Sequence, residues 1–163
     1  MPRYRVVLIE RATGAEVLAH CRPATPTDRR RVRWYGFDWT AFGATVEVYK
    51  VILPRSRFIE GMVALEPRQG WVEVFLAAVA PQNRGRSGRY RAGGALFAVA
   101  CQRSLEAGCD GFVAFDAKTV LVPYYATEYG ATPLAARGVP RLLIEPPQAA
   151  ALVARYIRAS KPA

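Results

Sequence analysis

Residues 71–97 read WVEVFLAAVAPQNRGRSGRYRAGGALF, and the fold turns on this stretch. Residues 71–79 carry the β-branched and aromatic side chains of a strand, which ends in Val79-Ala80-Pro81. A polar loop follows, punctuated by Gly85, Gly88, Gly93 and Gly94. A helix is predicted from about 93 to 107, with Ala95, Leu96, Ala98 and Val99 set against Gln102, Arg103 and Glu106 at helical spacing. Gly108 sits at its natural C-terminal stop. Unpaired amides at a helix N-terminus favour negative charge, and small residues there let a pyrophosphate approach the backbone. Arg89-Tyr90-Arg91-Ala92-Gly93-Gly94 supplies small residues with cations around them. The pattern points to a phosphate-bearing ligand. It lacks the Gly-Lys-Ser/Thr ending of a nucleotide P-loop, and it follows a meander rather than opening a βαβ chain, which disfavours a Rossmann reading.

Upstream, residues 45–53 and 57–66 read as strands joined by a short turn at 54–56, and 67–70 turn into the strand 71–79. Downstream, 111–116 form a buried strand, 120–129 a helix, 140–144 a strand and 147–158 a closing helix. Strand, loop, helix and strand in that order imply a parallel pair. At the N-terminus 5–9 read as a strand. Thr13 and Glu16 have capping-box spacing, which predicts a short helix over 14–21. The stretch 22–43 has no clear period and is expected to wrap the surface. Its aromatics Trp34, Tyr35, Phe37 and Trp39 either line a cleft or bury the segment.

The chain has 163 residues, 52% hydrophobic and 22% charged, enough for one domain with a real core and unlike a disordered chain. No apolar run reaches the roughly 18–20 residues that span a bilayer, and the start lacks the apolar core of a secretory signal. A soluble, cytoplasmic protein is expected. Cys21, Cys101 and Cys109 cannot all pair with one another, and the single histidine, His20, leaves no Cys/His zinc set and no Ser-His-Asp or Cys-His arrangement. The net charge is +10, and all but three of the 23 basic residues are arginine. Such an excess steers polyanions toward the surface. Arg29, Arg30, Arg31 and Arg33 form one cluster, and Arg84, Arg86, Arg89 and Arg91 another.

Segment 71–131 resembles the core of the GNAT superfamily of N-acetyltransferases. There a strand ending in Val-x-Pro leads to an Arg/Gln-x-x-Gly-x-Gly/Ala loop whose backbone holds the pyrophosphate of acetyl-CoA. Arg89 matches the first position, Ala92 stands where glycine is usual, and Gly94 matches the last. Ala80-Pro81-Gln82-Asn83, Phe112–Phe115 and Ala117-Lys118-Thr119 are similar to a branch of bacterial GNAT-like proteins without an assigned substrate. Arg84-Gly85 offers a competing register. The Arg89 frame is preferred because it puts Gly94 at the helix start with Phe97 facing the core. The resemblance implies an α/β (α+β) fold with a mixed, mostly antiparallel sheet flanked by helices and a parallel pair after the 81–94 loop. The expected layout is a single domain over 1–163: an irregular 1–43, a β-meander at 44–81, a CoA-binding core at 82–131, and a strand and helix over 132–163.

By the same resemblance, acetyl-CoA is a cosubstrate held by Leu76, Ala77, Val79, Arg84, Arg89, Ala92, Gly93, Gly94, Ala95 and Lys118. Lys118 falls where many family members have asparagine, and either pairs with a CoA phosphate or caps a strand end. Tyr125 matches the family's general acid, with Tyr124 and Tyr129 as neighbours. Glu73 lies six residues before Val79, where several family members place a general base. Strict alternation sets Glu73 on the face of Phe75 and Ala77, and Glu47 and Glu60 are its rivals. The implied activity is acyl transfer to a small-molecule or peptidyl amine, without a metal. Alternatives are a GNAT-fold protein that binds a ligand or partner without catalysis, or one that acetylates aminoacyl-tRNA and binds RNA in a salt-dependent way. Homodimerisation is left open.

Overall fold

The structure, a computed structural model, describes residues 1–134 and 138–159. Residues 135–137 and 160–163 of the expected single domain lie outside the described residues. β1 (Tyr4–Glu10) and β2 (Glu16–Pro23) form an antiparallel hairpin. The helix expected over 14–21 is therefore a strand. Thr13 and Glu16 bracket a tight turn instead of a helix start: the Thr13 hydroxyl accepts from the Ala15 N–H at 3.1 Å and donates to Glu10 at 2.8 Å, and Gly14 takes φ +73°. Ala19 and Cys21 then point inward at period two, fully buried. The capping box operates further on, where Thr25 and Asp28 exchange hydrogen bonds of 2.8 and 3.0 Å to open α1 (Pro26–Arg31). Residues 1–43 are thus largely regular, contrary to expectation.

The meander is as read: β3 (Glu47–Ile52), β4 (Ile59–Pro67) and β5 (Val72–Val79) pair in antiparallel succession. After a two-residue strand β6 (Tyr90–Arg91), which pairs with β1, α2 (Gly93–Glu106) crosses to β7 (Val113–Asp116), parallel to β5. α3 (Val122–Tyr129), β8 (Thr132–Leu134), β9 (Arg141–Ile144), α4 (Pro146–Tyr156) and β10 (Ile157–Arg158) complete the chain. β8 was not anticipated. The closing helix stops at Tyr156, because Ile157 and Arg158 pair with Val6 and Arg5. The sheet order is β10-β1-β2-β3-β4-β5-β7-β9-β8. Among the described residues no helix is long and apolar enough to cross a membrane.

Two cores lie on opposite faces of this sheet. α2 and α4 cover one, with Val6, Leu8, Val63, Val72, Val74 and Phe97 among its members. The 32–46 segment covers the other, with Trp39 fully buried against Val48, Met62, Ala64 and Ala78. Of the four aromatics expected to anchor 22–43, Trp39 does so and Trp34 packs beside it, whereas Tyr35 and Phe37 stay partly exposed.

β5 makes the decisive departure from regularity. It pairs with β7 only at Val72–Val113, Glu73–Ala114 and Val74–Phe115. Beyond that point β4 is the only strand that pairs with β5, through Leu76–Val79, and the sheet opens. The register with β4 skips Phe75, since Leu65 faces Val74 and Ala64 faces Leu76. This β-bulge reverses the alternation. Val72 and Val74 share the α2 face with Ala77 and Val79, while Leu76 and Ala78 turn to the Trp39 face.

Trp39→Ala removes the largest fully buried side chain, and is expected to lower the unfolding free energy by about 3–5 kcal/mol in a urea titration.

Candidate functional site

The opening between β5 and β7 is the mouth of a cleft of about 850 Å³. Its walls come from both faces of the sheet: Ala77, Val79, Phe97 and Tyr125 from the α2 side, Leu76 and Ala78 from the Trp39 side, with Tyr35 and Phe37 at its edge. At one end stands the N-terminus of α2. Ala92 precedes its first turn without any side-chain cap, and among the described residues nothing accepts from the N–H groups of Gly93, Gly94 and Ala95. Gly93 and Gly94 line the cleft. Such a turn favours an anion.

Packing around this turn explains its glycines in a way the sequence does not suggest. A Cβ on Gly93 would lie 2.7 Å from the Tyr129 hydroxyl, and one on Gly94 would lie 2.3 Å from Cζ of Tyr156. The two glycines are needed to seat tyrosines from α3 and α4 on one side of the backbone, leaving the amide side to the cleft. Burial raises the pKa of both phenols, so they stand here as neutral groups.

Cations gather at the same end. Arg11, Arg84, Arg86 and Arg91 line the cleft, as does Lys118 at the end of β7. The loop carrying Arg84 and Arg86 is tied down by Asn83, almost fully buried, whose amide donates to the Glu60 carboxylate at 2.9 Å and to the Glu60 carbonyl at 3.0 Å. Asn83 Oδ1 in turn accepts from the Tyr90 N–H at 3.0 Å. The Arg84 guanidinium lies 4.7 Å over the Tyr35 ring, and the Tyr35 hydroxyl donates to the Val79 carbonyl at 2.7 Å. Tyr35 holds this pose at φ +59°, beside Gly36 at +78°. Asn83 is given no role by the sequence reading, and Tyr35 enters it only as one of four aromatics that either line a cleft or bury the segment. A polar residue two places after a Val-x-Pro strand end, and a Tyr-Gly pair in an aperiodic stretch, were the available signals.

Of the residues expected to form the site, Leu76, Ala77, Val79, Arg84, Ala92, Gly93, Gly94, Lys118 and Tyr125 line the cleft. Ala95 does not line it: its side chain is buried in the α2 core, and its N–H is left unpaired at the helix start. The helix begins at Gly93 and Phe97 faces that core, as the Arg89 frame requires, yet the Arg89 side chain is exposed outside the cleft and the pocket cations come from its neighbours. Tyr125 is half-buried among Phe97, Phe115, Tyr124 and Tyr129, with ring centroids 5.1–5.8 Å away. Burial, followed by the neighbouring Tyr124, raises its pKa, which keeps the phenol protonated.

Glu73 does not join them. The bulge at Phe75 puts it on the opposite face from Ala77, where it is buried, does not line the cleft, and is held by Arg141 through Nη1 at 2.9 Å and through Nη2, with Trp71 Nε1 at 3.2 Å. Its rivals are committed too: Glu47 takes Arg103 at 2.8 and 2.9 Å, Glu60 takes Asn83, and neither lines the cleft.

Comparison of the sequence with protein-family profiles gives no match, and neither does comparison with curated proteins. Comparison of the fold with solved structures does. A protein assigned to the GNAT acetyltransferases of Desulfovibrio desulfuricans aligns with TM-score 0.57 at 13% identity, over 77% of this chain and 96% of that one. A GNAT acetyltransferase from Elizabethkingia anophelis, solved with acetyl-CoA bound, aligns with TM-score 0.55 at 15% identity, over 78% and 97%. A ribosomal-protein-alanine N-acetyltransferase from Escherichia coli aligns with TM-score 0.56 at 10% identity, over 78% and 94%. At these identities the likeness shows the fold, which this chain shares with these GNAT acetyltransferases.

Glu73→Gln weakens a buried charged hydrogen-bond pair, and a loss of about 1–3 kcal/mol in urea-unfolding free energy is expected.

Proposed function

We propose that the chain is an N-acyltransferase using acetyl-CoA as donor and a small-molecule or peptidyl amine as acceptor. The observation that carries this reading is the unpaired amide turn at Gly93–Ala95, which opens into the same cleft as the free edge of Phe75–Val79. A coenzyme thioester has an anionic diphosphate and an amide-bearing arm. The first suits three free N–H groups flanked by Arg84, Arg86 and Arg91. The second suits an unpaired strand edge, which can hydrogen-bond an extended amide chain as another strand would.

In this reading the free backbone N–H groups beside the bulge polarise the thioester carbonyl. The amine attacks that carbonyl carbon, a C–N bond forms, the C–S bond breaks, and the leaving thiolate takes the proton of the Tyr125 hydroxyl. The phenol is restored by the proton that the attacking nitrogen must lose, so no charge is left behind. Burial keeps Tyr125 protonated through neutral pH, as an acid requires. Tyr35 secures the Val79 carbonyl at the end of the strand edge, and through Arg84 ties that edge to the cationic loop.

The test is release of free thiol from acetyl-CoA in the presence of an amine panel. Tyr125→Phe is expected to lower kcat by about 100-fold with little change in the KM for acetyl-CoA. Because the raised pKa lies above the usual value of 10.0, the wild-type rate shows no loss of acid function until the pH exceeds 10. Absence of thiol release with every amine would contradict the proposal.

A further inference from the structure

Acyl transfer from a thioester needs a neutral amine, and the cleft has no free group to make one. All 13 acidic residues and the one histidine lie among the described residues, so every side-chain carboxylate and imidazole can be placed. Asp116 and Glu128 are the carboxylates that line the cleft. Asp116 is held by Arg141 at 3.1 Å and Glu128 by Arg91 at 3.2 Å. His20 is in β2, paired opposite Arg5 and Ile52 and away from the cleft. The buried phenols of Tyr125, Tyr129 and Tyr156 keep their protons. A carboxylate, with a reference pKa of about 4, is a weak base for an alkylammonium of pKa near 10.4. Since the proton lost by nitrogen replaces the one that Tyr125 gives the thiolate, transfer needs no net base once the amine arrives neutral.

The walls narrow the acceptor further. Lys118, Arg84, Arg86 and the Glu128-paired Arg91 leave the cleft with an excess of positive charge, which repels polycationic acceptors. On the Trp39 side of the sheet the mouth is apolar and aromatic. Phe37 and Phe75 are each about two-fifths exposed, and Tyr35 stands edge-on to Phe37 with centroids 6.0 Å apart. Exposed aromatics at a cleft mouth accept a flat or apolar body.

We propose that the acceptor is a weakly basic primary amine, of the α-amine class, carried on an aromatic or apolar body, and that lysine ε-amines and polyamines are excluded. This rests on the acyltransferase reading above. An α-amine with pKa of about 7.7–8.0 is roughly 300-fold richer in its neutral form at pH 7 than a lysine ε-amine, so the protein leaves deprotonation to the acceptor's own chemistry.

Thiol release from acetyl-CoA by the whole protein is measured against phenylalaninamide, glycinamide, Nα-acetyl-lysinamide and spermidine across pH. At pH 7, kcat/KM for phenylalaninamide is expected to exceed that for Nα-acetyl-lysinamide by at least 100-fold, on the order of the difference in neutral amine. Below the acceptor's own pKa, kcat/KM rises about tenfold per pH unit, and its midpoint moves when the acceptor is changed. Phe37→Ala raises the KM for phenylalaninamide more than that for glycinamide. Equal or faster use of Nα-acetyl-lysinamide or spermidine, or a midpoint that stays fixed whatever the acceptor, overturns the inference while acyl transfer stands. Equal effects of Phe37→Ala on both α-amines overturn the aromatic body. Absence of thiol release with every one of these acceptors overturns the acyltransferase reading, and the acceptor class with it.

Discussion

The parting of β5 from β7 after three paired residues is the constraint on which the remaining features depend. A parallel pair joined through α2 brings the helix N-terminus to the end of β5. Had the pairing continued, the helix turn would face a closed sheet and Phe75–Val79 would have no free edge. The bulge at Phe75 belongs to the same event. It turns Ala77 and Val79 toward α2 and Leu76 toward the Trp39 face, so that the opening is lined from both sides of the sheet. On the acyltransferase reading proposed above, a donor and an acceptor would meet at this gap instead of competing for one surface.

The α2 turn combines two demands that usually conflict. Its amides are left open to the cleft, yet a helix start with no cap is a weak point. Here Tyr129 and Tyr156 pack against the Cα side of Gly93 and Gly94 and hold the turn from behind. α3 and α4 are thereby coupled to the position of the amides. On the other flank, Asn83 and Glu60 pin the loop that presents Arg84 and Arg86, a buried polar pair whose hydrogen bonds are all within the protein. The cations themselves reach the cleft on flexible stems, but the backbone that carries them does not drift.

Much of this was legible in the residues. The runs 45–53, 57–66 and 71–79 alternate clearly and are bounded by proline and glycine, and Gly93-Gly94 marks the start of α2. Thr13 and Glu16 misled because capping spacing also fits a hairpin turn, and only the partner strand β1 decides between them. Glu73 was misplaced for a subtler reason. A bulge adds no recognisable residue to the bulged strand, and strict alternation therefore assigns the wrong face to everything before it. Its partner Arg141 is 68 positions away. For Arg84 and Arg89 the sequence order was sound for the helix start, but the path of a six-residue loop determines which side chains face the cleft. The aromatic division, Trp39 inward and Tyr35 and Phe37 at the mouth, likewise depends on tertiary packing that local pattern does not contain.

The most direct measurement is a ¹H–¹⁵N correlation spectrum of the uniformly labelled protein titrated with acetyl-CoA. If the α2 turn and the open strand edge hold the donor, the largest shifts fall on the amides of Gly93, Gly94 and Ala95, accompanied by Phe75–Val79. Saturation that leaves those amides unmoved, or a titration that moves none, would contradict the account.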